Sequence, residues 1–536
     1  MPILSIVLWL PIVAALVLAF FPRTAVTAIK AWGLFASIAT FAISLGIVGA
    51  FRNHVAGFQL VEKVSWIPQW GIHYSLGVDG ISLWLVMLTT LLTPVVFLSS
   101  WNTIAKHPKE YVISFLVMEA AMIGVFLATD LILFYVFFEL TLLPMYLVIG
   151  VWGGANRIYA AVKFFLFTIA GSLLMLFGII YIGFQYQHAT GVLSFAILDL
   201  YRVGVTPQAQ TLLFFAFALA FAIKVPLFPL HTWLPDAHVE APTGGSIILA
   251  GVMLKMGTYG FLRLVLPYFP EASMRWAWLL VALSVIGIVY GALVAWVQPD
   301  MKKLVAYSSV SHLGFCVLGI FAMNQTSIEG SILQMVNHGL STGALFLLVG
   351  VIYERRHTRM LADYGGIART MPVFATLFII AVLSSVGLPG LNGFVGEFLI
   401  LAGSFQSVPV ATIIATSGVI LAAIYLLWLV QRVFFGPITK EENRSIPDIA
   451  WNEVAALVPL VILMVWIGVY PRTFLEPMTP SVKRLLSVVQ SDQRAPVLIA
   501  EERVILSAAE REGSPDRGGD PSPSSRLRMT HEAGAK

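Results

Sequence analysis

Long, continuous apolar runs recur along this 536-residue chain and restrict its fold more than any other feature. Runs of roughly 20 apolar residues are as long as an α-helix needs to be to cross the hydrocarbon core of a membrane. Backbone groups in lipid have no water to bind, and continuous rather than alternating apolarity indicates helices, not barrel strands. The composition, 58% hydrophobic and 11% charged, is also that of a membrane protein rather than a soluble one. The sequence therefore predicts an all-α polytopic membrane protein.

The apolar runs predict about fourteen transmembrane helices. Each run is bounded by charged residues, glycine or proline, which mark loops and breaks. The predicted spans are 3–21, 31–51, 79–100, 111–128, 130–151, 159–185, 211–237, 241–266, 275–297, 303–323, 329–353, 373–404, 409–434 and 452–471.

The distribution of Lys and Arg predicts the orientation of these spans. Fifteen such residues lie in or beside loops that follow odd-numbered spans, and five lie beside loops that follow even-numbered spans. The five are Arg52, Lys63, Arg202, Arg263 and Arg275. Because positive residues concentrate on the cytoplasmic side, the odd loops face the cytoplasm and both termini face the opposite side. On that outer side, partial alternation and turn residues in 58–80 predict a short β-hairpin.

Two blocks of five spans each contain an interrupted fourth member. Prolines in KVPLFPLHTWLP interrupt span seven of the block 110–266, and GLPGLNGF interrupts span twelve of the block 275–434. Gly/Pro-interrupted spans at corresponding places in two halves indicate an internally repeated transporter. Because five is an odd number of crossings, the two repeats have inverted topology.

The chain therefore divides into five predicted parts. We expect spans one to three with the outer hairpin in 1–109, the first repeat in 110–266, the second repeat in 275–434, the last span in 435–472, and a polar, disordered tail in 473–536.

Ionisable residues interrupt four of the spans. Lys224 lies in span seven, Lys255 in span eight, Glu139 in span five and Glu397 in span twelve. At about 1.5 Å per helical residue, Lys255 and both glutamates lie near the middle of the membrane. Such a side chain marks a functional site by default. We predict a proton path along this row, in which a moving Glu139–Lys224 ion pair acts as a switch; the alternative is that these residues only lock helices together.

Three histidines extend the row. His312 and His338 lie at similar depth among hydroxyl and amide side chains, and both a relay and a packing role fit them. His231 follows Lys224 by seven residues in the interrupted segment, and we favour a relay role over stabilisation of the break.

Other polar residues have simpler interpretations. Glu119 either hydrogen-bonds within the bundle or widens an entry path. Asp236 and His238 are expected near the membrane surface. Asp300 is interpreted as a helix cap, and Lys302 as a cytoplasmic residue of the positive-inside pattern.

Several kinds of chemistry are not encoded. The single cysteine, Cys316, cannot form an internal disulfide or hold an iron–sulfur cluster alone. No His/Cys/carboxylate spacing of a metal site appears, and the glycines of 387–396 lie inside an apolar span rather than in a phosphate loop. With a net charge of only +4, nucleic-acid binding is not expected.

Four segments carry a specific resemblance: FFELTLLPMY, FAIKVPLFPLHTWLPDAHVEAPTGGSIILAGVMLKMGTYG, QPDMKKLVAYSSVSHLG and GLPGLNGFVGEF. They closely resemble the antiporter-like membrane subunits of proton-pumping NADH:quinone oxidoreductase, respiratory complex I, over residues 75–435. Within this family the chain is most similar to the branch that has glutamate at the position of Glu397, where the sister subunits L and N carry lysine.

The resemblance implies a role for each matching residue. Glu139 and Lys224 would form the coupled pair of the input half, Lys255 the central link and Glu397 the terminal output site. The remaining positions of the connecting hydrated axis would be His231, His312 and His338.

The resemblance also implies the setting. This chain would bind no cofactor and no metal, while NADH, FMN, iron–sulfur clusters and quinone belong to partner subunits. The partners would be L-type and N-type antiporter-like subunits, small membrane subunits and lipids. We expect a bacterial inner membrane rather than a mitochondrial one.

Two further functions remain open. An Mrp-type cation/proton antiporter subunit shares the fold and the Glu–Lys–Lys series, but it has lysine at the position of Glu397. A largely structural subunit would keep the polar row as packing, and only variants distinguish it from a conducting one.

Overall fold

The computed structural model describes residues 2–201 and 203–490, and this part of the chain is mostly helical. Eleven helices within it are long and apolar enough to cross a membrane. Three shorter apolar helices, Ile3–Ala19, Leu83–Ser99 and Pro372–Val386, complete the fourteen predicted spans. The predicted all-α polytopic fold is therefore confirmed. Arg202 and residues 491–536 of the expected tail lie outside the described residues.

The helices are numbered here in chain order, with short turns left unnumbered. They are α1 (Ile3–Ala19), α2 (Val26–Ala50), α3 (Leu83–Ser99), α4 (Pro108–Leu127), α5 (Leu131–Trp152), α6 (Arg157–Thr190), α7 (Pro207–Lys224), α8 (Trp233–Glu240), α9 (Thr243–Tyr268), α10 (Pro270–Trp296), α11 (Met301–Phe321), α12 (Gln325–Arg356), α13 (Pro372–Val386), α14 (Asn392–Ser407), α15 (Pro409–Phe434), α16 (Trp451–Val469) and α17 (Thr479–Gln490). Single-turn helices are Ile197–Leu200, Ile367–Thr370 and Arg472–Leu475.

Helices α9 and α12 form the buried centre of the bundle. Their most apolar stretches are 100% buried, whereas those of α2 and α16 at the periphery are 33% buried. Small residues permit the close packing of α9: Gly257 lies against Phe221 and Val225, where a side chain would not fit. Because the central helices meet no lipid, their polar side chains depend on one another and on water for partners.

A two-stranded antiparallel hairpin confirms the prediction for 58–80. Strand β1 (Gln59–Ile67) pairs with β2 (Ile72–Val78). The hairpin is tied to the start of α5, because Asp130 accepts a hydrogen bond from the His73 backbone N–H at 3.0 Å. Asp130 also caps α5 by accepting from the backbone of its first turn. The side of the membrane on which the hairpin lies stays a prediction.

The two predicted breaks are present. The chain leaves helical geometry between α7 and α8, where Pro226 and Pro229 cannot donate to the helical ladder. The indole of Trp233 donates to the freed Ile223 carbonyl at 2.9 Å. Between α13 and α14, Gly387 ends the helix at a φ of 83°, a left-handed conformation that glycine adopts without strain. Each five-span block thus has an interrupted fourth member.

Helix α17 differs from the expected disordered tail. The change of composition after Tyr470 places residues 479–490 in that predicted tail, but they form an amphipathic helix. Its buried residues are Ser481, Val482, Leu485, Leu486 and Val489. Their helical spacing places an apolar stripe against the bundle, which outweighs the polar composition of the segment.

Candidate functional site

Lys255 lies at the centre of α9 and is completely buried. A π-helical turn at Leu249–Met253 leaves the Ala250 carbonyl outside regular helical bonding, and the Lys255 ammonium donates to it. The Lys255 Nζ also lies 2.7 Å from the Nδ1 of His338 on α12. The local distortion of α9 thus supplies one partner for the lysine, and the neighbouring repeat supplies the other.

A second buried contact continues this line. The rings of His338 and His312 lie 6.0 Å apart, measured between centroids. The His312 Nδ1 lies 2.7 Å from the Glu397 Oε1, and the Gln334 side chain donates to the same oxygen at 3.0 Å. On its other side, the His312 Nε2 lies 3.4 Å from the Tyr425 hydroxyl. Lys255, His338, His312 and Glu397 therefore form one chain of titratable groups.

The break between α13 and α14 positions Glu397. Asn392 begins α14, and its carbonyl accepts from the Asn337 side chain at 2.7 Å. The Ser384 hydroxyl at the end of α13 donates to the Asn392 side chain. These bonds hold the broken ends of the span against α12, and Glu397 follows one helical turn later, facing His312.

The predicted Glu139–Lys224 pair is not in contact. Among the described residues no ion pair within 4.0 Å joins them, and the Lys224 Nζ has no hydrogen-bond partner. The ammonium instead lies over the rings of Phe138, at 5.1 Å, and Phe164, at 5.7 Å. Since Phe138 precedes Glu139 in the sequence, the Lys224 ammonium lies close to Glu139 without forming an ion pair with it. A cation–π contact of this kind is worth about 2 kcal/mol when desolvated.

His231 lies within the α7–α8 break and is buried. Its ring packs against Phe228 and Tyr290, with centroid distances of 5.8 and 5.3 Å. Its Nδ1 has no hydrogen-bond partner. Among the described residues, no hydrogen bond therefore connects His231 to Lys224 or to Lys255.

Three residues are more deeply buried than the sequence indicated. His238 was expected near the membrane surface, but it is 0% exposed and stacks on Phe346 at 4.5 Å, because α8 turns this face towards α12. Lys302 is also buried, and it donates to the Ala241 carbonyl at 2.5 Å. Arg263, assigned to the outer loops, forms a buried ion pair with Asp79 at 2.6 Å.

The remaining predictions for this region have mixed outcomes. Asp300 caps α11, as predicted, by accepting from the backbone N–H groups of Lys302 and Lys303. Asp236 pairs with Lys163 at 2.7 Å. Glu119 is fully buried, and neither carboxyl oxygen has a hydrogen-bond partner.

A polar cavity of about 240 Å³ lies at the Thr243 end of α9. Its charged lining comes from Glu240, Lys302, Glu354 and Arg359. Within the described residues, no group of three or more His, Cys, Asp or Glu side chains is placed to hold a metal ion.

Sequence comparisons match two family models. Residues 128–424 match the family described as NADH:quinone oxidoreductase/Mrp antiporter, and residues 10–129 match the amino terminus of NADH-ubiquinone oxidoreductase chain 4. NADH-quinone oxidoreductase subunit M of Rhodobacter capsulatus is 49% identical over 91% of this chain and 97% of the relative. NADH-ubiquinone oxidoreductase chain 4 of Marchantia polymorpha is 45% identical over 90% of this chain and 97% of the relative.

Solved structures share the fold. A chain of respiratory complex I from Thermus thermophilus with bound NADH is 32% identical, with a TM-score of 0.83 over 92% of this chain and 100% of that one. A chain of the Mrp complex from Dietzia sp. is 21% identical, with a TM-score of 0.78 over 92% of this chain and 100% of that one. The second likeness concerns the fold alone.

Proposed function

We propose a function for this chain from the premise that it belongs to the family of antiporter-like subunits of NADH:quinone oxidoreductase, in the branch of subunit M and chain 4. It is a membrane-arm subunit of complex I, which couples NADH oxidation and quinone reduction in partner subunits to proton translocation. The proposal concerns which residues carry the proton. We assign the path to Glu139, Lys224, Lys255 and Glu397, connected by His231, His312 and His338.

One observation carries this assignment: Lys255 and Glu397 are connected through two histidines by buried contacts. Neutral imidazole has one donor and one acceptor nitrogen, so His338 can accept a proton from Lys255 at Nδ1. The step from His338 to His312 spans 6.0 Å between ring centroids, a distance that a bridging water can cover. His312 then faces the Glu397 carboxylate, which is the last acceptor of the row.

Glu139 and Lys224 supply the switch. An opposite charge nearby favours the charged form of each group, and desolvation favours the neutral form. When the carboxylate approaches Lys224 the ammonium is stabilised, and when it withdraws the proton is released towards Lys255. Moving one charge through 100 mV requires about 2.3 kcal/mol, a cost that forming or breaking a buried ion pair can supply.

The wider setting follows from the same premise. We infer that NADH, FMN, iron–sulfur clusters and quinone are bound by partner subunits and that this chain contains no redox centre. L-type and N-type antiporter-like subunits, small membrane subunits and lipids would surround it. The polar cavity near Lys302 would face the cytoplasm of a bacterium, with the complex in the inner membrane.

An Mrp-type antiporter is the weaker alternative. It accounts for the shared fold, but Glu397 stands where that type is expected to carry lysine, and the Mrp likeness is 21% identical against 32% for complex I. In this chain Glu397 accepts from His312 and Gln334, an arrangement that suits a carboxylate and not an ammonium.

Glu139→Gln tests the assignment. We expect NADH-driven acidification of inverted membrane vesicles, and NADH–quinone turnover, to fall, because an amide cannot carry the proton. Rates are divided by NADH–ferricyanide activity, so that failed assembly is not mistaken for failed pumping. Wild-type acidification would make Glu139 structural, and loss of sodium-driven proton exchange alone would favour the antiporter.

A further inference from the structure

The hairpin-side end of α9 contains a buried ion pair that the proton path does not use. Arg263 lies two turns beyond Lys255, about 12 Å along the helix axis at 1.5 Å per residue. Its Nη2 donates to the Asp79 Oδ1 at 2.6 Å, and both side chains are almost completely buried. A second π-helical turn, Phe261–Val265, surrounds Arg263, and the Tyr201 hydroxyl donates to the Arg263 carbonyl at 2.7 Å. The pair is therefore firmly held.

Two cavities of unequal size lie on either side of Lys255 along α9. Towards the Thr243 end of α9 is the polar cavity of about 240 Å³. Towards the hairpin is a recess of only about 30 Å³, and Asp79 and Arg263 lie in its wall. Helix α9 thus has a wide cavity near its Thr243 end and a small recess near Arg263, with Lys255 between the two along the helix.

Tyr259 lies between Lys255 and Arg263, four residues from each. Its hydroxyl donates to the Phe126 carbonyl at 3.3 Å and accepts from the Arg263 Nε at 3.1 Å. Because a tyrosine hydroxyl both donates and accepts hydrogen bonds, Tyr259 could pass a proton onward if an acceptor followed it. The next group outward is a guanidinium, which has only donors and does not lose its proton in proteins. A proton that reached Tyr259 would meet this fixed donor first, because the guanidinium and not the Asp79 carboxylate contacts the Tyr259 hydroxyl.

The groups around the pair leave it few other partners. The Asp79 Oδ1 accepts from the backbone N–H groups of Ile81 and Ser82, both at 3.1 Å, in addition to Arg263. The Phe58 ring lies 4.7 Å from the guanidinium carbon. Helix α17 covers the recess, and its Ser481 hydroxyl accepts from the Gly80 backbone N–H at 3.0 Å.

We propose that Arg263, held by Asp79 and Tyr259, is a proton-tight barrier on the hairpin side of Lys255. This inference rests on the proposed path through Lys255. Tyr259 follows Lys255 by about one helical turn in the direction of Arg263, so a route through its hydroxyl would bypass the histidines and Glu397. The barrier closes this shortcut, so that the proton leaves the centre only through His338. A fixed arginine excludes protons from a pore in the same physical way.

Passive proton conductance tests the barrier without any need for pumping. In inverted vesicles without NADH, a potassium diffusion potential set with valinomycin drives protons, and a pH-sensitive dye records their entry. We expect Arg263→Gln to leak several-fold faster than wild type, because the fixed positive charge is lost and water that takes the place of the guanidinium can pass protons along. Asp79→Asn retains the guanidinium and is expected to stay tight. Equal leaks from both variants would indicate damaged packing and would overturn the proposal.

Two further variants keep the test decisive. The pair substitution Asp79→Asn/Arg263→Gln leaves no unpaired charge, and Arg263→Lys keeps the ion pair but carries an amine that can exchange its proton. Both are expected to assemble, as measured by NADH–ferricyanide activity, and to leak. A tight membrane in both would refute the barrier. Arg484→Gln, at the exposed rim of the same recess, is the matched control and is expected to stay tight.

Adding Lys255→Met to a leaking variant separates this inference from the proposed path. If the leak passes through Lys255, the added substitution abolishes it. A leak that persists runs elsewhere, and Arg263 then only supports packing. A tight Arg263→Gln membrane combined with loss of pumping in Glu139→Gln would overturn the barrier alone. A leak in Arg263→Gln combined with normal pumping in Glu139→Gln would instead overturn the assignment of Glu139.

Discussion

Replacing Glu397 with glutamine separates the chemical role of this carboxylate from its structural one. The Glu397 Oε1 accepts two hydrogen bonds, from His312 at 2.7 Å and from Gln334 at 3.0 Å. An amide oxygen can accept both, so the geometry is retained. Hydrogen bonds to charged groups contribute about 1.5–3 kcal/mol and neutral ones about 0.5–1.5 kcal/mol, so the two weakened bonds cost roughly 2–3 kcal/mol together.

A loss of that size leaves the subunit folded within its complex. We therefore expect Glu397→Gln membranes to retain NADH–ferricyanide activity and to show only a modest decrease in thermal stability. The amide cannot take up the proton that His312 would deliver, so acidification per NADH is expected to be lost. Dye quenching in inverted vesicles, divided by ferricyanide activity, measures this effect.

Glu476→Gln is the matched control for Glu397→Gln. Glu476 is an exposed carboxylate in a surface pair with Arg472, at 3.5 Å, and such pairs contribute little. It is expected to acidify like wild type. If Glu397→Gln also pumps like wild type, with assembly unchanged, then the His312–Glu397 contact is packing and the assignment of the terminal site is refuted.

Three other predictions test the fold and its orientation. Arg355 and Glu453 join α12 to α16 through two hydrogen bonds of 3.0 and 2.7 Å. Glu453→Ala should lower the free energy of unfolding by roughly 3 kcal/mol, because it leaves the Arg355 charge unpaired. In thermal inactivation, the double alanine variant should lose less stability than the sum of the two single losses. Cys316 is buried, so aqueous maleimide should label it only after denaturation, and labelling in native membranes would contradict its burial. With that low background, Lys440→Cys should be labelled from the cytoplasm and Gln69→Cys from the outer side; the opposite result would reverse the orientation.

The span pattern and the breaks were predictable because each depends on local sequence. Apolar runs of the right length specify helices in lipid, and Pro226 or Gly387 interrupts a helix wherever the fold places it. Counting residues to the nearest loop also predicts the depth of Glu139, Lys255 and Glu397, and this depth stays a prediction. Hydrophobicity and helical rise are sufficient for these features because neither needs knowledge of a distant partner.

The parts that could not be predicted depend on contacts across long stretches of sequence. Arg263 lies near a span end, so a count of loop charges assigned it to the surface, whereas its partner Asp79 is 184 residues away. His238 is buried because α12 covers it, which its own sequence does not show. Helix α17 was detectable: Val482, Leu485, Leu486 and Val489 follow the helical spacing of an amphipathic stripe within a polar composition.

The charged groups of the two repeats differ in their hydrogen bonds. In the second repeat, Glu397 is bonded to His312, whereas in the first repeat Lys224 and the Glu139 Oε1 have no hydrogen-bond partner. Each buried polar atom without a partner costs about 1–3 kcal/mol, so a pair kept only for packing would be expected to bond Lys224 directly to the Glu139 carboxylate. Water, or movement of Glu139 towards Lys224, must supply the missing bonds. The proposed switch uses this difference, because Lys224 gains a partner when Glu139 moves towards it.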